Sequence, residues 1–320
     1  MVELNKSLDL DRIRSAHERV RPYIHRTPVI TSARLDEAGE ASLFFKCENF
    51  QKIGAFKARG ATNAVFALNE LTARRGVATH SSGNHGAAVA RAAKLRKIPA
   101  HIVMPSNSAK VKIRAVESYG AQVIFCEPTE EAREVTCTEV IKKTGATLIH
   151  SFENENVIAG QGTAAVELLE DVPDLDLVMC PIGGGGLLAG TAVAAKSMRP
   201  TIKVIAAEPE NADDAAQSFR AGRVIHTKKK FTIADGLRTN VGEPNFAIIK
   251  CYVDEIVTVS EETIISAMRT IWETMKIVVE PSAAVPYGAI QERRVDCKGK
   301  RVGIILTGGN VDLDSLPWTL

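Results

Sequence analysis

The chain has 320 residues, 45% hydrophobic and 24% charged, an ordinary folded composition with room for one large domain or two. With 40 Lys and Arg against 38 Asp and Glu, the formal charge of +2 gives no reason to expect nucleic acid or an anionic membrane as partner. The six cysteines form no C-x-x-C pair, so metal clusters and disulfide scaffolds are disfavoured and a reducing, cytoplasmic setting is expected.

The N-terminus, "MVELNKSLDLDRIRSAHERV", carries no signal-peptide core, and no later run reaches membrane-spanning length. "GAFKARGATNAVFAL" then places Ala58, Ala61, Val65 and Leu68 on one helical face, with Lys57 at the helix start. The helix dipole and nearby Arg59 are expected to lower the cost of a neutral Lys57 amine. Taken alone, Lys57 reads more readily as a surface lysine at a helix start.

"GVATH" (76–80) reads as a buried strand, and "THSSGNHG" as a turn opening a small-residue helix. Ser81, Ser82, Asn84 and His85 give that turn more polar groups than a helix cap requires, which suits a carboxylate ligand. "AHIVMP", the helical "AKVKIRAVESYG", "AQVIFCEP", the helical "EEAREVTCTEVIKKTG" and "ATLIHSF" continue a β-α-β rhythm. The rhythm resumes with "LDLVMCPI", the helix "GLLAGTAVAAKSM", "KVIAAEP" and "KRVGIILTGG". The pattern predicts an α/β fold of parallel sheets flanked by helices, in two interleaved domains. Residues 76–152 form the smaller, and 1–75 with 153–320 the larger.

Ligands of open parallel sheets gather beyond the carboxyl ends of the strands, so the loops there carry the functional expectations. In "PIGGGGLLAG", Gly183, Gly184, Gly185 and Gly186 join a strand to a helix, and without Cβ atoms their backbone can wrap a phosphate. The run matches neither the dinucleotide fingerprint nor the Walker pattern. Thr307 ends the strand of "LTGGNVDLD", where its hydroxyl could meet a ligand ring nitrogen or simply close a turn. "AAEPENADD" offers Glu208 and Asp214 with a backbone carbonyl as oxygen ligands for a hard cation, although acidic surface loops are commonplace. The run at 228–230 reads as a solvated basic loop.

A phosphate cup, a reactive lysine, a hydroxyl for a ring nitrogen and a carboxylate-gripping turn together describe a pyridoxal phosphate site. The sequence resembles the fold-type II pyridoxal phosphate enzymes, in particular the serine racemase, 3-hydroxyaspartate dehydratase and threonine dehydratase group. The likeness runs through "TPVITS", "FFKCENFQKIGAFKARGATNAV", "VIAGQGT", "AAEPENADD", "ADGL" and "LTGGNVDLD".

The resemblance implies that Lys57 bonds the cofactor aldehyde and that Gly183, Gly184, Gly185, Gly186 and Leu187 hold its phosphate. It puts Asn84 by the ring hydroxyl, Thr307 at the pyridine nitrogen and Glu280 of "VVEPSAAV" near the ring. Ser81, Ser82, Asn84 and His85 would hold the substrate carboxylate. Glu208, the Ala212 carbonyl and Asp214 would bind a divalent cation (Mg²⁺, with Mn²⁺ or Ca²⁺ as alternatives). The implied activity is a dehydratase or ammonia-lyase acting on 3-hydroxyaspartate, serine or threonine, or else a serine racemase.

Ser82 matches the second acid of racemases, where threonine dehydratases often have alanine, and Arg133 matches an arginine able to approach a second carboxylate. Phe152 departs from an asparagine of mammalian racemases. Ala33 and Ile53 replace polar residues that help bind ATP there, whereas Ser32, Lys52 and Asn310 match, so nucleotide activation is left open. A homodimer is implied, and isoleucine feedback is not expected. The rival class is a non-catalytic sensor on the same scaffold.

Overall fold

The computed structural model describes residues 8–81, 83–108, 110–227 and 231–318. Ser82 and the basic run at 228–230 lie outside the described residues. Among the described residues ten strands form two sheets: β1 (Val29–Ile30), β2 (Ser42–Cys47), β3 (Val77–His80), β4 (Ala100–Pro105), β5 (Gln122–Cys126), β6 (Thr147–Leu148), β7 (Leu177–Pro181), β8 (Lys203–Pro209), β9 (Glu255–Val259) and β10 (Arg301–Leu306). One sheet has the order β1-β2-β10-β7-β8-β9 and the other β5-β4-β3-β6. Every pairing is parallel except β1 with β2.

The central strands of the larger sheet are apolar along their length because helices cover both faces, the usual reason for unbroken hydrophobic runs in parallel sheets. β7 is buried throughout, and β10 from its second residue onward. Two strands of that sheet carry weak sequence signals. β2, "SLFFKC", is interrupted by Lys46, and β9, "EIVTV", is short and half-exposed at the sheet edge. Neither stands out by periodicity.

Three helices stack so that the ends carrying the candidate site form one block. Helix Lys57–Ala67 packs on helix Glu155–Asp171, which packs on helix Gly186–Met198. The approach is close enough to require glycine on both contacts: a Cβ at Gly160 would lie 2.6 Å from Gly60 Cα, and one at Gly190 would lie 2.5 Å from Ile158 O.

A buried ionic cluster locks the first of these contacts. Arg59 Nε and Nη2 donate to the two oxygens of Glu48, both at 2.7 Å. Its Nη1 and Nη2 reach Glu167 at 2.8 and 2.7 Å. Lys46 Nζ lies 2.8 Å from the same Glu167 and donates to Thr27 O at 2.7 Å. The cluster ties the end of β2 to two helices. Burial works against the Glu167 charge, but hydrogen bonds from Arg59 and Lys46 prevail and hold its pKa down to about 2. Its contribution to stability is therefore full above the ordinary carboxylate range and is lost as pH falls toward that value.

Arg59→Met would leave Glu48 and Glu167 facing each other without their shared cation. We expect a loss of about 3–5 kcal/mol in urea unfolding of the cofactor-free protein. A change under about 1 kcal/mol would show that the cluster adds little.

Candidate active site

The stretch before Lys57 is zipped to the loop after β10. Phe56 N donates to Thr307 O at 2.9 Å, Gly309 N to Gly54 O at 3.0 Å, and Ala55 bridges Gly308. Ile53, at φ 60°, adopts a left-handed conformation that a β-branched side chain disfavours. Its carbonyl accepts from Asn310 Nδ2 at 2.8 Å. This arrangement delivers Lys57, the first residue of its helix, beside Thr307.

Lys57 is partly buried, and its Nζ donates to Ser151 O at 2.9 Å. Burial pushes the amine down to about 8, against the opposing pull of Glu280. The expected help from Arg59 is not what the structure shows. Arg59 turns away from Lys57 into its own carboxylates, where its charge is matched, and burial is the dominant cause of the shift.

Glu280 is 5% exposed, and burial, then Asp235, raises its pKa to about 7. Asn84 Nδ2 donates to its two oxygens at 3.0 and 3.1 Å, while Asn84 Oδ1 accepts from Asn310 Nδ2 at 2.9 Å. Thr307 is 3% exposed, and its Oγ1 has no hydrogen-bond partner among the described residues. His85 donates from Nε2 to Ile149 O at 2.9 Å, leaving Nδ1 as a buried acceptor without a partner among the described residues. Burial, then the Lys57 charge, lowers His85 to about 3. Ser81 Oγ accepts from Gly83 N at 3.2 Å, so one of the serines of this turn helps shape it.

The glycine run closes the site from the other side. Gly185, at φ +87°, caps helix Gly186–Met198, and its neighbours Gly183, Gly184, Gly186 and Leu187 are all buried. A Cβ at Gly184 would fall 2.3 Å from the Phe152 ring. Gly184 O accepts from Asn245 Nδ2 at 2.6 Å and Gly242 N at 3.2 Å. That carbonyl is thus turned into the protein, and the first-turn N–H groups of the helix are left for a ligand.

Phe152 and Asn245, which shape this cup, carry no motif in the sequence. Asn245 donates also to Phe152 O at 2.9 Å, joining the loop after β6 to the cup. A cavity of about 460 Å³ opens beside Asn84, Ile53 and Asn310, with Lys112, Tyr119 and Asp235 on its wall.

Arg133 lies on helix Glu130–Thr144, half-buried, and its Nε reaches its own helix at Thr129 O, 3.4 Å. Its charge is felt at His80, which it helps to keep neutral after burial itself. In the acidic loop, Glu208 accepts from Ala215 N and Ala216 N at 3.1 and 2.9 Å, and Asp214 accepts from Val241 N at 2.8 Å. Both carboxylates and Ala212 are buried. Among the described residues no group of three or more His, Cys, Asp or Glu side chains is arranged to hold a metal.

A family model described as "Pyridoxal-phosphate dependent enzyme" matches residues 20–308. The chain belongs to this family. It is 50% identical over 304 residues to a protein named beta-hydroxyaspartate dehydratase from Paracoccus denitrificans, covering 95% of this chain and 96% of that one. It is 49% identical over 315 residues to a serine racemase from Arabidopsis thaliana, covering 96% of this chain and 95% of that protein. The solved structure of maize serine racemase superposes with a TM-score of 0.95 at 46% identity, over 98% of this chain and 96% of that one. The fold is accordingly that of the fold-type II pyridoxal phosphate enzymes.

The residues present fit the family's cofactor. A buried hydroxyl lacking a partner among the described residues, an amine shifted toward neutrality and a glycine cup offer a site for a ring nitrogen, an aldehyde and a phosphate. Among the described residues no helix is long and apolar enough to cross a membrane.

In the cofactor-free protein, Lys57 binds fewer protons folded than unfolded between about pH 8 and its ordinary lysine value. Stability therefore rises with pH across that window, and the penalty is full below it. Lys57→Met should melt higher than the cofactor-free parent at neutral pH, with the difference closing as pH climbs toward 10.5. A gap independent of pH would contradict the burial of this amine.

Proposed function

We propose that the chain is a pyridoxal phosphate dependent ammonia-lyase acting on β-hydroxy amino acids, with 3-hydroxyaspartate and serine or threonine as its substrates. The observation that carries this reading is Lys57. Its amine is brought to a pKa of about 8 beside a glycine cup and the buried hydroxyl of Thr307. The name of the Paracoccus relative supports 3-hydroxyaspartate.

Bound pyridoxal phosphate supplies an electron sink for the negative charge left at the substrate Cα. In this reading Lys57 would hold the cofactor through its aldehyde, and its Nζ is the base placed to take the substrate Cα proton. The N–H groups of Gly183, Gly184, Gly185, Gly186 and Leu187 would hold the phosphate, and Thr307 Oγ1 would accommodate the ring nitrogen. Being uncharged, Thr307 would not enforce protonation of that nitrogen, a setting suited to elimination of a β-hydroxyl. Ser81, Ser82, Asn84 and His85 would hold the α-carboxylate, His85 through its backbone N–H because its Nδ1 carries no proton, and Glu280 and Asn84 would lie beside the ring. Loss of water and its return during hydrolysis leave a 2-oxo acid and ammonia, which for 3-hydroxyaspartate are oxaloacetate and ammonia.

Residues 76–152 act here as a small mobile domain. A divalent cation at Glu208, Ala212 and Asp214, a homodimer and a cytoplasmic setting complete the reading. EDTA is then expected to lower the melting temperature and Mg²⁺ to restore it. No response to either would remove the cation.

Serine racemisation is the second reading, favoured by the name of the Arabidopsis relative and by Ser82 as the acid opposite Lys57. Incubation with L-serine, D-serine, L-threonine and the 3-hydroxyaspartate diastereomers separates the two. Oxaloacetate formed from hydroxyaspartate alone identifies a specific dehydratase, and D-serine accumulating from L-serine a racemase. Ser82→Ala should abolish racemisation while elimination from L-serine persists; equal loss of both would exclude Ser82 from this role. A colourless protein that borohydride cannot fix to the coenzyme at Lys57 would instead indicate a sensor.

A further inference from the structure

Lys57 and the glycine run belong to separate elements, and one buried amide outside every sequence motif links them. Asn245 is the third residue of helix Glu243–Tyr252 and has no access to solvent. The start of that helix is fixed by two backbone donors, Val241 N to Asp214 Oδ2 at 2.8 Å and Gly242 N to Gly184 O at 3.2 Å. It backs directly onto the cup, since a Cβ at Gly185 would lie 3.0 Å from Asn245 Cβ.

Asn245 Nδ2 donates to Gly184 O at 2.6 Å and to Phe152 O at 2.9 Å. The amide can face only this way, because the reversed orientation would crowd three oxygens together. Its Oδ1 is then left buried without a partner among the described residues. A stranded acceptor offsets much of what the two donors contribute to folding. The amide is thus a poor device for stabilising the fold and a specific one for placing two carbonyls.

Those carbonyls belong to the two ends of the candidate site. Gly184 is in the cup. Phe152 follows Ser151, whose own carbonyl accepts from Lys57 Nζ at 2.9 Å. Consecutive carbonyls of one loop therefore engage the amine and the amide, and a continuous polar path runs from Lys57 through residues 151–152 and Asn245 to Gly184. The same loop walls the cup: a Cβ at Gly186 would lie 3.0 Å from Phe152 O.

We infer that Asn245 is a positioning residue that holds the lysine loop and the phosphate cup at one spacing, matched to a ligand fastened at both. This rests on the reading that pyridoxal phosphate is held by Lys57 through its aldehyde and by the glycine run through its phosphate. For such a ligand the second attachment is intramolecular, and its strength depends on how narrowly the spacing is fixed. The helix stack sets that spacing in outline, and Asn245 adds a direct tie between the loops. Each end survives loss of the tie, because Gly242 N still holds Gly184 O and Arg59 still holds the helix of Lys57.

Equilibrium dialysis of the cofactor-free chain against pyridoxal phosphate, and against pyridoxal, which lacks the phosphate, tests the assignment. Asn245→Leu removes the amide at similar volume and Asn245→Ala removes it without adding bulk, so the test survives misfolding of either variant. Both should weaken pyridoxal phosphate about tenfold and pyridoxal less than about twofold. Cofactor-free Asn245→Leu should melt within about 3 °C of its parent, since it loses the stranded acceptor along with the donors. A residue that merely stabilised the fold would lower the melting temperature and weaken both ligands alike.

Equal weakening of the two ligands, or a change under about twofold for pyridoxal phosphate, overturns the role of Asn245 and leaves the coenzyme reading standing. A parent chain that takes up neither ligand refutes that reading, and the positioning role with it.

Discussion

Arg59 is the constraint on which the placement of the active site depends. Its guanidinium has no access to solvent and is forked by Glu48 on one side and Glu167 on the other. A buried charge without a partner is costly, so helix Lys57–Ala67 can neither rotate nor slide without breaking bonds that water would not replace. Lys57 lies two residues earlier on that helix. The glycine contacts then fix the helix against its neighbours, and the last of these begins at the phosphate-sized cup. A cluster that touches no ligand thus determines the distance between the two ends of the site.

The site itself drives its ionisable groups toward their neutral forms. Burial lowers Lys57 and His85 and raises Glu280, while Asn84 holds Glu280 by both oxygens. A pocket of this kind suits proton transfer, because a neutral amine can accept what a protonated one cannot.

Phe152 shows how a departure from relatives is absorbed. In the sequence it reads as an apolar ring standing where a polar amide is expected near the cofactor. In the fold that ring covers Gly184 and the Phe152 carbonyl joins Asn245, so the residue gives shape to the cup. Glycine at position 184 is needed here because a side chain would collide with the ring.

The parallel architecture, the strands with unbroken apolar runs and the loops bearing Lys57, the four glycines and Thr307 are legible in the sequence, because burial on both faces and the absence of Cβ atoms leave local marks. Strands β2 and β9 are not: a lysine interrupts one and partial exposure thins the other, and what makes them strands is pairing with β10 and β8. The direction of Arg59 escapes sequence reasoning for a related reason, since its partners Glu48 and Glu167 lie 11 and 108 residues away. Asn245 reaches the site only through long-range packing. Local patterning determined which loops could carry chemistry. Only the tertiary structure decided which charges are buried together and which side chains face one another, because those energies belong to pairs that the chain order keeps apart.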